Sequence, residues 1–329
     1  MPVYNAAPTF PAALDSILTQ TYRDIEVLVV DNCSDDGTLE IAEVRAAADP
    51  RVKVLKSGTN IGAVPNLMRC IRLAAGKYTA IFHADDIYSP QMIEREVDFL
   101  ERNPGTGAVF SMAAAIDSNG VRGKIFNLPQ ELRLKAAVGL DFWELFRSIL
   151  RNGNFLFTPS PLVRTEVYEN CIHELRQEMA GTSLDLDLWL RIAERYPVGI
   201  IDAPLLGYRM AKESFSYNHL RAKTGRHDLF KVLAHYIDKY SGRLVAEDRA
   251  NYEFLLLKDD VNRAFNSFSL GDSVAARRLL SPLFSREVLV KAASSGLRLK
   301  VLFMGIATFL LTFLPLPPKA RDRISRARY

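Results

Sequence analysis

Two acidic clusters each follow an apolar run: Ile25–Val30 leads into Asp31 and then Ser34-Asp35-Asp36-Gly37, and Tyr78–Phe82 leads into His83-Ala84-Asp85-Asp86. Both runs read as buried strands. In an open α/β sheet, ligands bind in the crevice beyond the carboxyl ends of the strands. Carboxylates delivered there suit a polar ligand held through a hard cation. Asp185 and Asp187 form a further acidic pair beside a helical pattern. A carboxylate there can serve as a general base if burial raises its pKa towards neutrality.

The elements that must hold these groups alternate through the first half of the chain. Thr9 and Pro11 open a helix to about Gln20, and Thr38–Ala48 is a helix. Val52–Leu55 is a short strand, a helix runs from about Ala63 to Ala75, and Ser89-Pro90 opens another that ends near Asn103-Pro104-Gly105. Ala108–Ile116 returns as a strand before the turn Asp117-Ser118-Asn119-Gly120. This order predicts a mostly parallel sheet covered by helices. Beyond about residue 125 the alternation breaks down, with helices at Leu140–Leu150 and Leu186–Arg195 and loop and short strand over Asn152–Pro161. After Lys212 the pattern is helical, near Asn218–Tyr240, Ala246–Leu270 and Ser273–Leu280. The expected division is 1–215 for the α/β domain, 216–295 for a helical region and 296–329 for an apolar segment with a basic tail. Met1-Pro2-Val3-Tyr4-Asn5 reads as the last residues of a strand and the loop after it, so the first strand is expected to be truncated, or its start to lie upstream.

Composition narrows the function classes. The chain has 329 residues, 48% of them apolar, and a formal net charge of +4. The tail Lys319–Tyr329, with Lys319, Arg321, Arg323, Arg326 and Arg328 against Asp322, accounts for that whole surplus. The remainder is near neutral, which argues against a nucleic-acid partner. Cys33, Cys70 and Cys171 match neither a zinc spacing nor a disulfide framework, and a reducing cytoplasm is the simpler reading. The other histidines, His173, His219, His227 and His235, show no metal spacing. Val301–Leu314 is free of charge between Arg298 and Lys300 on one side and Pro315, Pro317, Pro318 and the basic tail on the other. As a helix it would be roughly 21 Å long against ~30 Å of hydrocarbon, which predicts an interfacial anchor; a buried core helix is the alternative.

One ordered set of motifs resembles the inverting family-two glycosyltransferases of the GT-A fold. The matches are Pro2-Val3-Tyr4-Asn5, Val29-Val30-Asp31 with Ser34-Asp35-Asp36-Gly37-Thr38, Asn60-Ile61-Gly62 with Asn66, and Ala75-Gly76-Lys77-Tyr78. They continue with Ala84-Asp85-Asp86-Ile87-Tyr88, Asp185-Leu186-Asp187-Leu188-Trp189-Leu190-Arg191 and Tyr208-Arg209. Together they cover about the first 212 residues. A dehydrogenase is disfavoured because no G-x-G-x-x-G follows a strand, and a nucleotidyltransferase because no Gly-rich basic phosphate loop opens the chain.

The resemblance implies a GT-A fold and transfer of a sugar from a UDP-, dTDP- or GDP-sugar to a glycan or lipid-linked acceptor. It places such work in bacterial surface-polysaccharide synthesis, on the cytoplasmic face of the inner membrane, by a peripheral or monotopic protein. Asp85 would ligate Mn²⁺ or Mg²⁺, and Asp86 would support it or bind the sugar. His83 stands where the family usually carries an acidic residue; imidazole suits Mn²⁺ better than Mg²⁺. Val3 and Tyr4 would line the nucleobase pocket with Asn5 beside them, and Asp31 would contact base or ribose, order its own loop, or do both. Asn60, Gly62 and Asn66 fall at nucleotide-sugar positions. Asp185 would be the catalytic base, exchanging roles with Asp187 if the alignment slips by two. Trp189 is either an acceptor platform or core, and Arg191 and Arg209 contact diphosphate or form salt bridges. Leu184 stands where the family usually has Glu, and Met210-Ala211-Lys212 follows Tyr-Arg where a histidine is common. These departures leave a second reading, a non-catalytic sugar-nucleotide or glycan-binding subunit of the same fold.

Overall fold

In the computed structural model, which describes residues 1–172, 181, 183–210, 223–285 and 296–328, the acidic clusters sit on two sheets. The first is parallel, in the order β1 (Pro2–Val3), β2 (Val27–Asp31), β3 (Val52–Lys56), with Val3 paired to Asp31 and Asp31 to Lys56. The second runs β4 (Tyr78–Ala80), β8 (Leu162–Arg164), β6 (Ala108–Ile116), β9 (Val198–Arg209), β5 (Ile87–Tyr88), with β7 (Arg122–Ile125) beside β6. Only the β6–β9 pair in it is parallel, so the second sheet is mixed where a mostly parallel one was expected.

Helices α1 (Phe10–Leu18), α2 (Thr38–Ala48), α3 (Ala63–Leu73) and α4 (Met92–Arg102) bury their apolar stripes on these sheets. Phe10, Leu14, Ile17 and Met92 join Val3, Val29 and Phe82 in one core. Their burial is what the periodic apolar spacing of these segments anticipates. Helices α5 (Phe142–Asn152), α6 (Thr165–Ile172) and α7 (Leu184–Arg195) follow, and α7 begins two residues earlier than the periodicity suggested. The long strand β9 had no counterpart in the sequence reading. Gly199, Pro204 and Gly207 interrupt its pattern, and the register with β6 slips at Met112, where Pro204 is accommodated.

Strand β1 is two residues long. A cavity of about 490 Å³, lined by Met1, Val27, Leu28, Tyr78, Ala80 and Ile81 among others, separates it and β2 from β4. The Met1 amine donates to the Leu28 carbonyl at 2.7 Å and is pushed down in pKa by burial.

The chain divides into two compact units, Met1–Ile149 with Asn154–Ala211, and Leu150–Gly153 with Lys212–Tyr329. The second contains α8 (Leu229–Lys239), α9 (Ala246–Ser269), α10 (Ser273–Leu280), α11 (Gly296–Leu311) and α12 (Pro318–Arg328). Regions 216–295 and 296–329, expected to be separate, share one core here, because Val301 on α11 packs with Val261, Ala264, Phe268 and Leu280. The boundary expected near residue 215, His173 and His219 lie outside the described residues.

Candidate active site

The loop after β2 is folded by Asp31. This carboxylate, 1% exposed, accepts from the Cys33 and Ser34 amides, both at 3.1 Å, and from the Ser34 hydroxyl at 2.5 Å. Those bonds hold Cys33 at φ 68°, a left-handed conformation uncommon outside glycine, and Gly37 at φ 95° turns the chain into α2. Asn5, itself at φ 47°, staples the first loop to this one: its amide nitrogen donates to Asp35 at 2.9 Å and its amide oxygen accepts from the Asp35 N–H at 3.0 Å. The Ala6 and Ala7 amides donate to Thr38 and Asp36. Asn32 and Asn60 join the next loop to the same rim, Asn32 donating to Asn60 at 2.9 Å and accepting from the Ile61 amide at 2.9 Å.

The second cluster is tighter. One ligand atom each from His83, Asp85 and Asp86 lies within 4.8 Å of the others, the one such group of three among the described residues. Tyr88, buried beneath, fixes the His83 backbone by accepting from its amide at 2.7 Å and donating to its carbonyl at 3.1 Å. Strand β9 brings Arg209 alongside. Its backbone amide donates to Asp86 Oδ1 at 2.8 Å, and its guanidinium donates to the carbonyls of Asp85 (2.5 Å), Asp117 (2.6 Å) and Ser118 (2.8 Å). Asp86 Oδ2 is buried with no hydrogen-bond partner. Burial, and then the Asp85 charge, push its carboxyl well above the usual range. Burial pushes the His83 imidazole down, with Asp85 and Asp185 opposing, so the ring is neutral near neutral pH, the form that ligates a metal. An orphaned carboxylate oxygen beside a neutral imidazole and a second carboxylate fits a divalent cation of intermediate hardness.

Asp185 lies in the first turn of α7 and feels this cluster electrostatically. The Thr158 hydroxyl donates to its Oδ2 at 2.5 Å, and burial raises its pKa. Asp187 is different. It is fully buried and ion-paired with Arg191 one turn on, whose guanidinium also donates to the Cys171 carbonyl at 3.3 Å. Its carboxylate is thus engaged by a guanidinium, unlike that of Asp185.

Several residues expected at ligand positions are placed among protein contacts. Val3, 2% exposed, belongs to the core because β1 turns it away from the rim. Asn66 is buried and donates to the Val30 carbonyl at 3.0 Å, bracing the end of β2. Trp189 is 1% exposed, edge-on to Phe110 at 5.2 Å, so it is core and offers no platform. The Arg191 guanidinium pairs with Asp187, and that of Arg209 donates to the Asp85, Asp117 and Ser118 carbonyls. Tyr4 is half exposed, and Asn60 and Gly62 lie on exposed or partly exposed rim positions. Sequence reasoning missed Thr158, which sits in an irregular segment with no pattern to single it out, and the Asp117-Ser118 turn, read only as a turn.

A family model for glycosyl transferase family 2 matches residues 1–157. The glycosyltransferase EpsE of Bacillus subtilis is 31% identical over 59% of this chain, which spans 65% of EpsE's length. An Escherichia coli protein, UDP-Glc:alpha-D-GlcNAc-diphosphoundecaprenol beta-1,3-glucosyltransferase WfgD, is 26% identical over 67% of this chain and 79% of its own. Among solved structures, Staphylococcus aureus TarS 1-349 in complex with UDP aligns over 100% of this chain and 90% of that one, with a TM-score of 0.51 at 16% identity. The mannosyltransferase PcManGT from Pyrobaculum calidifontis, in complex with GDP-Man and Mn²⁺, aligns over 94% of this chain and 84% of that one, with a TM-score of 0.55 at 18% identity. The fold is the GT-A architecture of these glycosyltransferase structures. The similarity to glycosyl transferase family 2 is carried by residues 1–157, a little under half of the chain.

Proposed function

We propose that this enzyme transfers a sugar, with inversion, from a nucleotide-diphosphate sugar to a glycan or lipid-linked acceptor in surface-polysaccharide synthesis. The observation that carries the reading is the His83–Asp85–Asp86 cluster electrostatically linked to a raised, partly buried Asp185. His83 and Asp85 would hold Mn²⁺ or Mg²⁺, with Asp86 as the third group. A cation bound there supplies charge to offset the departing diphosphate. Tyr4, Asn5, the loop ordered by Asp31, and Asn60 with Gly62 form the rim that receives the nucleotide. Asp185, held by Thr158, takes the proton of the acceptor hydroxyl as that oxygen attacks the anomeric carbon. The bond to the diphosphate oxygen breaks and its electron pair leaves with the nucleoside diphosphate.

Support for the substrate class comes from relatives: WfgD is named for a UDP-Glc donor and a diphosphoundecaprenol acceptor, and TuaG of Bacillus subtilis for teichuronic acid biosynthesis. The test is nucleoside-diphosphate release from a panel of UDP-, dTDP- and GDP-sugars with membrane extract as acceptor source. Release from one donor, abolished by EDTA and by Asp85→Ala, is the expected outcome. Full transfer by Asp85→Ala would sink the metal assignment, and donor binding without release would favour a binding subunit.

A further inference from the structure

Helix α11 has two apolar faces, and only one is used. Val301, Thr308 and Thr312 are 4%, 2% and 5% exposed, and Gly305 lies so close to Leu283 that an added Cβ would come within 2.3 Å of it. This face is sealed against α9, α10 and the turn after it. The opposite stripe carries Leu299, Phe303 and Leu310 at i, i+4 and i+11, which share one side of a helix. These are 37%, 69% and 61% exposed, and the stripe continues beyond the helix end in Phe313 (60%) and Leu314 (51%). Scattered exposed apolar residues are ordinary; three large ones along one helix face, followed by two more just past its end, are not.

The helix end is held in place, so this exposure is not fraying. Arg277 donates to the Thr312 carbonyl at 3.2 Å with its guanidinium 5.1 Å from the Phe313 ring centre, and Phe309 packs on Phe284 at 4.7 Å between ring centres. Cations lie near both ends of the stripe. Lys300, next to Leu299, is exposed, and Lys319 and Arg323 follow the stripe, exposed, in a tail that carries five basic residues against one acidic. Among the described residues no helix is long and apolar enough to cross a membrane, and α11, with 16 residues, would be roughly 24 Å long. An apolar stripe on a rigid helix, bracketed by cations, matches an anionic lipid surface in both hydrophobicity and sign.

We propose that the Leu299–Phe303–Leu310–Phe313–Leu314 stripe is a docking face for an anionic bilayer, entering the head-group boundary while Lys300, Lys319 and Arg323 meet lipid phosphates. The same helix thus works as both core and anchor. Sedimentation of the full chain with vesicles needs no sugar donor, so its outcome is separate from that of the transferase reading. The chain is expected to sediment with phosphatidylcholine vesicles containing phosphatidylglycerol, less so with phosphatidylcholine alone, and to be partly released by high salt. Phe303→Ser with Leu310→Ser should weaken binding by at least about tenfold, the ratio for losing transfer of one large apolar side chain. Phe303→Trp should shift its emission to the blue when anionic vesicles are added. Absence of sedimentation, unchanged binding by the double variant, or an unshifted Trp spectrum would overturn the proposal. So would a dimer in gel filtration that the double variant abolishes, because it would assign the face to a second copy of the chain.

Discussion

Asp185 and Asp187 differ by two positions in sequence and by their whole environment in the fold. Asp185 accepts from the Thr158 hydroxyl and has a pKa raised by burial, while Asp187 is closed in an ion pair with Arg191. Asp185→Asn should therefore fold and bind donor but lose roughly 10²–10⁴ in turnover, measured as nucleoside-diphosphate release. In the proposed mechanism Asp185 acts deprotonated, and since burial raises its pKa, kcat/KM should rise with pH with an acid limb above the ordinary carboxylate range. Asp187→Asn should fail differently: stripping one partner from a buried pair costs about 3–5 kcal/mol, read as a lower midpoint in denaturant. An Asp187→Asn protein as stable as the parent but inactive would reverse the two roles. The pair could not be told apart in the sequence, because the spacing that puts Arg191 one turn beyond Asp187 also permits a surface position.

Elements were legible where one periodicity ran unbroken. The strand at Ala108–Ile116 appears with the bounds its apolar run implies, and α2, α9 and α10 match within a residue. Strand β9 was not legible, since its two glycines and Pro204 read as loop, and only pairing with β6 makes it a strand. That one element carries Arg209 to the acidic cluster, so the reason for Arg209's position was hidden with it. Helix α4 holds another feature with no sequence signal: Glu96 is fully buried with neither carboxylate oxygen partnered. Burial pushes its pKa well up, with Ser111 opposing. A carboxyl whose folded pKa is raised contributes stability that is complete below the unfolded value of about 4.3 and is lost as pH climbs through the folded one. Glu96→Gln should flatten that decline, and its advantage in melting temperature over the parent should be larger at alkaline than at mildly acidic pH. Parallel curves for the two proteins would show that Glu96 titrates in the folded protein as it does in the unfolded chain.

At the scale of the whole molecule, the motifs that resembled family two all lie in the first unit, and the apolar helix in the second. The sequence order of those motifs was enough for the fold and the acidic cluster. It was not enough for Val3, Trp189 and Arg191, whose burial depends on packing from elements distant in the chain. The two cores make separate claims on stability. Gly305→Val, which drives a side chain into Leu283 and Val261, should cost about 1–3 kcal/mol in the helical unit while nucleotide-sugar binding by the first unit persists. Loss of both together would mean that the units unfold as one. The cavity beside β1 bears on how the protein is handled at the bench. Met1 lines that cavity and its buried amine donates to the Leu28 carbonyl, so a residue joined to it would turn a titratable amine into a neutral amide at the cavity wall. An affinity tag at this end is then no neutral handle, and a melting-temperature comparison of tagged and untagged protein would read what that exchange costs the sheet.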